Sequence, residues 1–72
     1  MYKIKNMNIT DSINKGKTIK IINCIHPHLI GVKTTIVAEY KNDLGINYCL
    51  NIKDPLYSLA NLWVMESDLE FL

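Results

Sequence analysis

The chain of 72 residues contains no arginine, and its eight basic residues are all lysine. Arginine makes the bidentate contacts by which proteins read base edges, and duplex binding also needs a concentrated basic face. The formal net charge is only +1. This composition weighs against nucleic-acid binding, and it also removes the commonest charged hot-spot residue of protein interfaces.

Long apolar runs are absent as well, because no stretch approaches the roughly 20 residues that a membrane helix needs. Residues 1–6 contain two lysines and lack the apolar core of a secretory signal peptide. We therefore expect a cytoplasmic protein. Asn, Ile and Lys are abundant whereas Arg and Gln are missing, and this bias toward AT-rich codons suggests a low-GC bacterium or one of its phages as the source.

Cysteine is scarce, with only Cys24 and Cys49, and a reducing compartment disfavours a disulfide between them. Cys24, His26 and His28 alternate along the chain, so an extended backbone would point them the same way, and Cys49 could complete a tetrahedral zinc site. The spacing matches no standard zinc pattern. The alternative is an exposed histidine loop around Pro27 with cysteines packed as small hydrophobes. We expect no cofactor and keep a zinc-stabilised interaction module as a third hypothesis.

Alternation of apolar and polar residues predicts strands at 17–24, 32–41, 46–53 and 62–65. Residues 42–45 read Asn-Asp-Leu-Gly, which is a strong hairpin signal between the second and third of these strands. The pattern is that of a small all-β protein.

The faces of two of these strands follow from their alternation. In 32–41 the even-numbered residues, including Ile36 and Tyr40, are predicted to face the core, with Val37 as an apolar exception on the other face. In 46–53 Tyr48 is predicted to face the core.

The remaining segments contain residue patterns typical of a strand, of a helix start and of a turn. A short strand is predicted at 2–7, with residues 1–14 as an N-terminal strand or arm. Asp54 as N-cap and Pro55 at the first helical position predict one or two helical turns ending near residue 61. The acidic segment after residue 65 is predicted to turn and place Leu69 on the core.

The order of these landmarks resembles that of small SH3-like barrels, including the KOW type. The landmarks are Lys15-Gly16-Lys17, Gly31, the turn at 42–45, the segment 54–61, the strand 62–65, and Glu66-Ser67-Asp68-Leu69. The likeness covers roughly residues 15–70 and implies one domain over residues 1–72, with the barrel over 15–72, about five antiparallel strands and one short helical turn. The aromatic pattern of signalling SH3 domains is missing, which argues against binding of Pro-rich peptides.

No nucleophile, base and orienting group stand out together, so we expect no enzymatic activity. The expected function is a protein-binding module, with His26, His28, Tyr57 and Trp63 at the interface because Tyr and Trp are favoured hot-spot residues. The alternative places Trp63 in or over the core. If the source is a phage, the concrete form would be an inhibitor of a host system, such as an anti-CRISPR or other anti-defence protein.

Two further interpretations stay open. A nucleic-acid-binding barrel would use four lysines near the start of the predicted barrel: Lys15, Lys17, Lys20 and Lys33. A homodimer could form through an edge strand, either 2–7 or 62–65.

Overall fold

The computed structural model describes residues 9–10 and 14–72. In this part of the chain the strands are β1 Ile9–Thr10, β2 Thr18–Ile21, β3 Lys33–Asn42, β4 Gly45–Lys53, β5 Asn61–Met65 and β6 Leu69–Phe71. Two 3-10 helices, Pro27–Leu29 and Glu66–Asp68, lie between them. The strands predicted at 32–41, 46–53 and 62–65 are confirmed to within one residue, and the one predicted at 17–24 is shorter than expected. The strand predicted at 2–7 lies outside the described residues.

The strands form an antiparallel sheet in the order β5-β4-β3-β2-β6, with β1 beside β3. The predicted all-β class is therefore confirmed. β3 is the central strand. Along one of its edges, the first half of β3 pairs with β2 and the second half pairs with β1. Its other side pairs with β4.

The predicted hairpin connects β3 and β4. Asn42 and Gly45 are paired across it, and the Asn42 side chain accepts a hydrogen bond from the Leu44 N–H at 2.8 Å. Gly45 has a φ of +133°, a backbone conformation that L side chains rarely adopt. The Asn-Asp-Leu-Gly signal therefore marked the turn correctly.

A β-bulge in β3 changes which residues face the core. The register with β4 shifts between Ile36 and Ala38, so Val37 is an extra residue on the β3 side. Ile36 is buried as predicted, but beyond the bulge the buried residue is Glu39. The prediction that Tyr40 faces the core is wrong, because one inserted residue moves every later side chain to the opposite face.

The helical turn predicted at 54–61 is also wrong. Asp54 does use its side chain as a cap, accepting a hydrogen bond from the Leu56 N–H at 2.8 Å. The backbone then makes two consecutive turns, from Tyr57 N–H to Asp54 C=O at 3.1 Å and from Ala60 N–H to Tyr57 C=O at 2.8 Å. The Asp54 N–H donates to the Ala60 carbonyl at 2.9 Å. This bond closes the loop after two turns, and so short a segment does not offset the cost of helix nucleation.

The core lies on one face of the sheet and draws on all the longer strands. Its buried members are Ile19, Ile21, Leu29, Ile36, Tyr48, Leu50, Leu62, Val64 and Leu69. Tyr48 and Leu69 were both predicted to face the core, and both are buried there. Full burial of an aliphatic side chain contributes about 1.5–3 kcal/mol, so this cluster is a major source of stability for the sheet.

Candidate partner-binding site

Two loops meet at one end of β4. The β2–β3 loop comprises residues 22–32, and the β4–β5 loop comprises residues 54–60. His26 has the extended backbone expected of a residue before proline. Its Nε2 atom lies 3.4 Å from Oδ1 of Asp54, and both side chains are partly buried. This contact joins the two loops.

Further hydrogen bonds hold both ends of the β2–β3 loop. The backbone N–H groups of Ile22 and Asn23 donate to the Asp68 carbonyl at 2.9 and 3.4 Å. The Asn23 side-chain amide also donates to Oδ1 of Asp68 at 3.4 Å. At the far end, the Gly31 N–H donates to the Ile21 carbonyl at 2.7 Å. The loop is therefore held in a defined position.

Both loops expose large apolar side chains. Ile25 is 86 % exposed on the β2–β3 loop, and Leu59 is 96 % exposed on the β4–β5 loop. Leu56 and Tyr57 are also well exposed on the second loop. Single exposed apolar residues are ordinary, but a concentration of them marks interaction sites. We call these four residues the paired-loop surface.

A cleft of about 200 Å³ lies between residues 23–26 and β5. Its lining combines aromatic, thioether and thiol groups with polar ones, and it includes Cys24, His26, Asp54, Trp63, Met65 and Asp68. Since Ile25 lines it too, the cleft adjoins the paired-loop surface.

Trp63 does not fill the core. It lies on the face of the sheet opposite to the buried side chains of Leu62 and Val64, and it is 41 % exposed. Its ring meets that of Tyr40 edge-on, with the centroids 6.5 Å apart and an interplanar angle of 85°. The same bulge that turned Tyr40 outward therefore gives Trp63 an aromatic neighbour.

The four residues predicted for partner binding are placed as follows. His26 and Trp63 line the same cleft. The His28 ring lies beside the His26 ring at 6.2 Å between centroids, and it is exposed. Tyr57 projects from the β4–β5 loop as part of the paired-loop surface. The structure thus places His26 and Trp63 at the same cleft, puts His28 beside His26, and leaves Tyr57 on the other loop.

The cysteine–histidine set considered for zinc is not brought together. Cys24 lies in the cleft, where its Sγ accepts a hydrogen bond from the His26 N–H at 3.4 Å. Cys49 is buried on the other face of β4, between Ala38 and Trp63. Burial raises the pKa of its thiol, against the smaller opposing effects of a hydrogen bond with Asn61 and the charge of Lys53.

Metal-binding side chains do not cluster elsewhere either. Over residues 9–10 and 14–72, no three His, Cys, Asp or Glu side chains are placed to share a metal ion.

The four lysines proposed for nucleic acid lie on β2, on β3 and in the turn before β2. Lys20 and Lys33 are directly opposite each other on β2 and β3. Glu70 is opposite Lys20 on β6, and Lys20 Nζ lies 3.5 Å from its carboxylate. Lys15 and Lys17 belong to the turn before β2, which a hydrogen bond from Lys17 N–H to Asn14 C=O closes at 3.0 Å.

No protein-family model, curated protein or solved structure matches this chain. In the described part of the chain, no helix has the length and apolar character that crossing a membrane would require.

Several site residues were missed by sequence reasoning. The sequence pattern indicates Asp54 only as a helix cap, whereas its carboxylate also contacts His26. In the sequence, nothing distinguishes Ile25, Leu59 and Met65 from other apolar residues. An isolated apolar residue in a loop gives no signal of its exposure, because exposure depends on which segments pack over it.

Proposed function

We propose that this protein is a non-enzymatic protein-binding module, acting in the cytoplasm, whose partner covers the paired-loop surface. One observation carries the proposal. The His26–Asp54 contact at 3.4 Å joins two loops, and those loops present Ile25, Leu59 and Tyr57 to solvent. A surface that is fixed before binding loses less conformational entropy when the partner arrives.

The chemistry of this surface suits a protein partner. Burial of an exposed Ile or Leu side chain contributes about 1.5–3 kcal/mol. Tyr57 adds a rigid aromatic group with a polar end, the type of residue that dominates binding hot spots. Burial of several such side chains against a partner offsets the entropy that is lost on association. The remaining free energy corresponds to an affinity typical of regulatory complexes.

We also propose that the sheet closes into an SH3-like barrel. β5 and β6 are at the two ends of the strand order, yet only the 3-10 helix Glu66–Asp68 separates them along the chain. A connection of three residues cannot span a flat sheet of five strands, whose neighbouring strands are about 4.8 Å apart. This short connection supports a sheet that curls until its two ends approach each other.

A phage inhibitor of a host system is the concrete form that we propose for such a module. The bias toward Asn, Ile and Lys supports a phage or low-GC bacterial source. Binding without catalysis would be enough for an anti-CRISPR or other anti-defence protein to block a surface of its target.

Capture from lysate of the source cell or its host tests the proposal. The tagged protein is compared with the double variant Ile25→Ser/Leu59→Ser, with and without nuclease. The matched control is Leu44→Ser, since Leu44 is 84 % exposed on the β3–β4 hairpin, at the other end of β4. All three proteins should have similar melting temperatures because the changed side chains are exposed.

We expect one discrete protein, in fixed ratio and resistant to nuclease, to bind the wild type and Leu44→Ser alike. Its recovery should fall at least tenfold with the double variant, since two apolar contacts of about 1.5–3 kcal/mol each are removed. Equal recovery with the double variant would overturn the proposal. Capture that disappears with nuclease would instead favour nucleic acid, with Lys20 and Lys33 as the residues to change.

A further inference from the structure

We infer that the cleft between residues 23–26 and β5 receives a basic side chain of the partner, with arginine preferred. This inference rests on the proposed function and names the chemistry by which the partner is recognised. The cleft would hold the guanidinium group, while the paired-loop surface would bind the apolar part of the same partner.

The first argument is the charge of the cleft. Asp54 and Asp68 line it, and none of the lysines within residues 14–72 does, although the chain as a whole has a net charge of +1. Among the described residues, the only basic group in the lining is His26, which already contacts Asp54. In the described part of the chain, the side chain that contacts the Asp68 carboxylate is the neutral amide of Asn23. The cleft is thus complementary to a cation.

The second argument is the aromatic wall. Trp63 lines the cleft and keeps 41 % of its surface exposed. A guanidinium group is attracted to the face of an indole and also stacks on it because it is planar and weakly hydrated. Met65 offers an apolar, adaptable surface for the aliphatic stem of the same side chain.

The third argument is size. A volume of about 200 Å³ is below the range of roughly 300–1,000 Å³ in which proteins usually bind small molecules and cofactors. It is sufficient for one long side chain. Because Ile25 belongs both to the lining and to the paired-loop surface, a polypeptide on that surface can deliver such a side chain directly.

A direct test uses a short peptide as the probe. The ¹⁵N-labelled protein is titrated with acetyl-Gly-Arg-Gly-amide at low salt, and the indole N–H signal is followed. Trp63 is the only tryptophan, so this signal is unambiguous. The matched probe contains citrulline, which has nearly the same shape as arginine but no charge.

We expect the arginine peptide to shift the indole signal in a saturable way, and the citrulline peptide to bind roughly tenfold more weakly, since cation–π and carboxylate contacts both need the charge. A lysine peptide should bind with intermediate affinity. An equal response to arginine and citrulline, or no response to arginine, would overturn the inference.

Variants locate the effect. In Asp54→Asn/Asp68→Asn the amide oxygens keep the acceptors that Leu56 N–H and Asn23 use, so the loops should stay folded while the charge is lost. The control is Asp43→Asn/Glu70→Gln, which removes the same charge from the hairpin and from β6. Only the first variant should lose the response to arginine. An equal loss in both would show a general field effect and overturn the inference.

The inference and the proposed function can fail separately. If the partner is captured equally well by Asp54→Asn/Asp68→Asn but is lost with Ile25→Ser/Leu59→Ser, the module stands and the basic contact is excluded. If neither variant affects capture, the paired-loop surface is excluded as well.

Discussion

Tyr48 brings a hydroxyl group into the core, directly opposite the buried Glu39. Asn14 donates a hydrogen bond to this hydroxyl at 3.0 Å, and the ring meets Phe71 edge-on at 5.8 Å between centroids. Burial raises the pKa of Tyr48 above its ordinary value of 10.0; the Asn14 hydrogen bond opposes this effect, and the charges of Glu39 and Glu66 add to it. The fold therefore stabilises the neutral phenol.

The change Tyr48→Phe should reveal this preference in the dependence of stability on pH. Because the folded-state pKa is raised, the contribution of the neutral phenol is complete below pH 10.0 and is lost as the pH rises toward the folded-state value. The wild type should therefore lose more unfolding free energy between pH 9 and 11 than Tyr48→Phe does. At pH 7 the variant should be about 1 kcal/mol less stable, since the hydrogen bond between Asn14 and the Tyr48 hydroxyl is lost.

Urea denaturation at several pH values measures both effects. Tyr57→Phe is the matched control, because Tyr57 is exposed and keeps no buried hydroxyl. Equal pH dependence in the wild type and Tyr48→Phe would contradict the assignment.

The two thiols should differ in their reaction with iodoacetamide. Cys49 is buried, and its pKa is raised by that burial. At pH 8 only a small fraction of Cys49 is therefore thiolate, and that thiolate is poorly accessible to the reagent. Cys24 is partly exposed in the cleft. We expect native protein to be modified first at Cys24 and denatured protein at both sites, as read by peptide mass spectrometry. Faster modification of Cys49 would show that Trp63 and Ala38 do not cover it.

At the scale of elements, the sequence predicted the parts whose signals are local. The alternation in 46–53 located β4, and Asn-Asp-Leu-Gly located the hairpin. The bulge at Val37 could not be predicted, since one apolar residue out of phase is equally consistent with a strand covered on both faces. The consequence for Tyr40, and hence for its contact with Trp63, depends on that bulge.

Asp54-Pro55 shows a second limit of local signals. The side chain of Asp54 accepts a hydrogen bond from the N–H two residues later, that of Leu56. An Asp side chain makes this bond both at a helix N-terminus and in an Asx turn. In the folded chain the Asp54 N–H bonds to the Ala60 carbonyl and the Asp54 carboxylate contacts His26, which is distant in the sequence; neither contact has a local signal. The candidate site was therefore only partly predictable, because the residues that form it come together by packing of two loops.

Substitutions of Asp54 should separate its two roles. Asp54→Ala removes both the acceptor for Leu56 N–H and the contact with His26, and it should lower the unfolding free energy by about 1 kcal/mol. Asp54→Asn keeps the acceptor and should lose less than half of that. Amide hydrogen exchange at Leu56 should accelerate in the alanine variant only. Acceleration in both would mean that the charge of Asp54, and not its acceptor, orders the loop.

At the scale of the whole molecule, stability and binding draw on different residues. The core cluster includes Leu69 of β6, which pairs with Ile21 and so holds the last strand on the sheet. Leu59, by contrast, has almost its full surface in solvent. A domain with a net stability of about 5–15 kcal/mol depends on each core residue but on few surface ones.

Leu69→Ala and Leu59→Ala therefore form a matched pair with the same chemical change. The first should reduce the unfolding free energy by about 2–5 kcal/mol, through lost burial and the cavity left behind. The second should change it by less than about 0.5 kcal/mol. Chemical denaturation followed by Trp63 fluorescence measures both. A large loss of stability for Leu59→Ala would show that the β4–β5 loop packs on the core.

Because β4 is long, the β3–β4 hairpin is a suitable place to attach a label. The nine residues of β4 span roughly 30 Å and separate the β3–β4 hairpin from the two loops. Tips of exposed hairpins tolerate insertions well. A fluorophore or short affinity sequence introduced between Asp43 and Leu44 would report on complexes, or immobilise the protein, while the opposite end stays open to its partner.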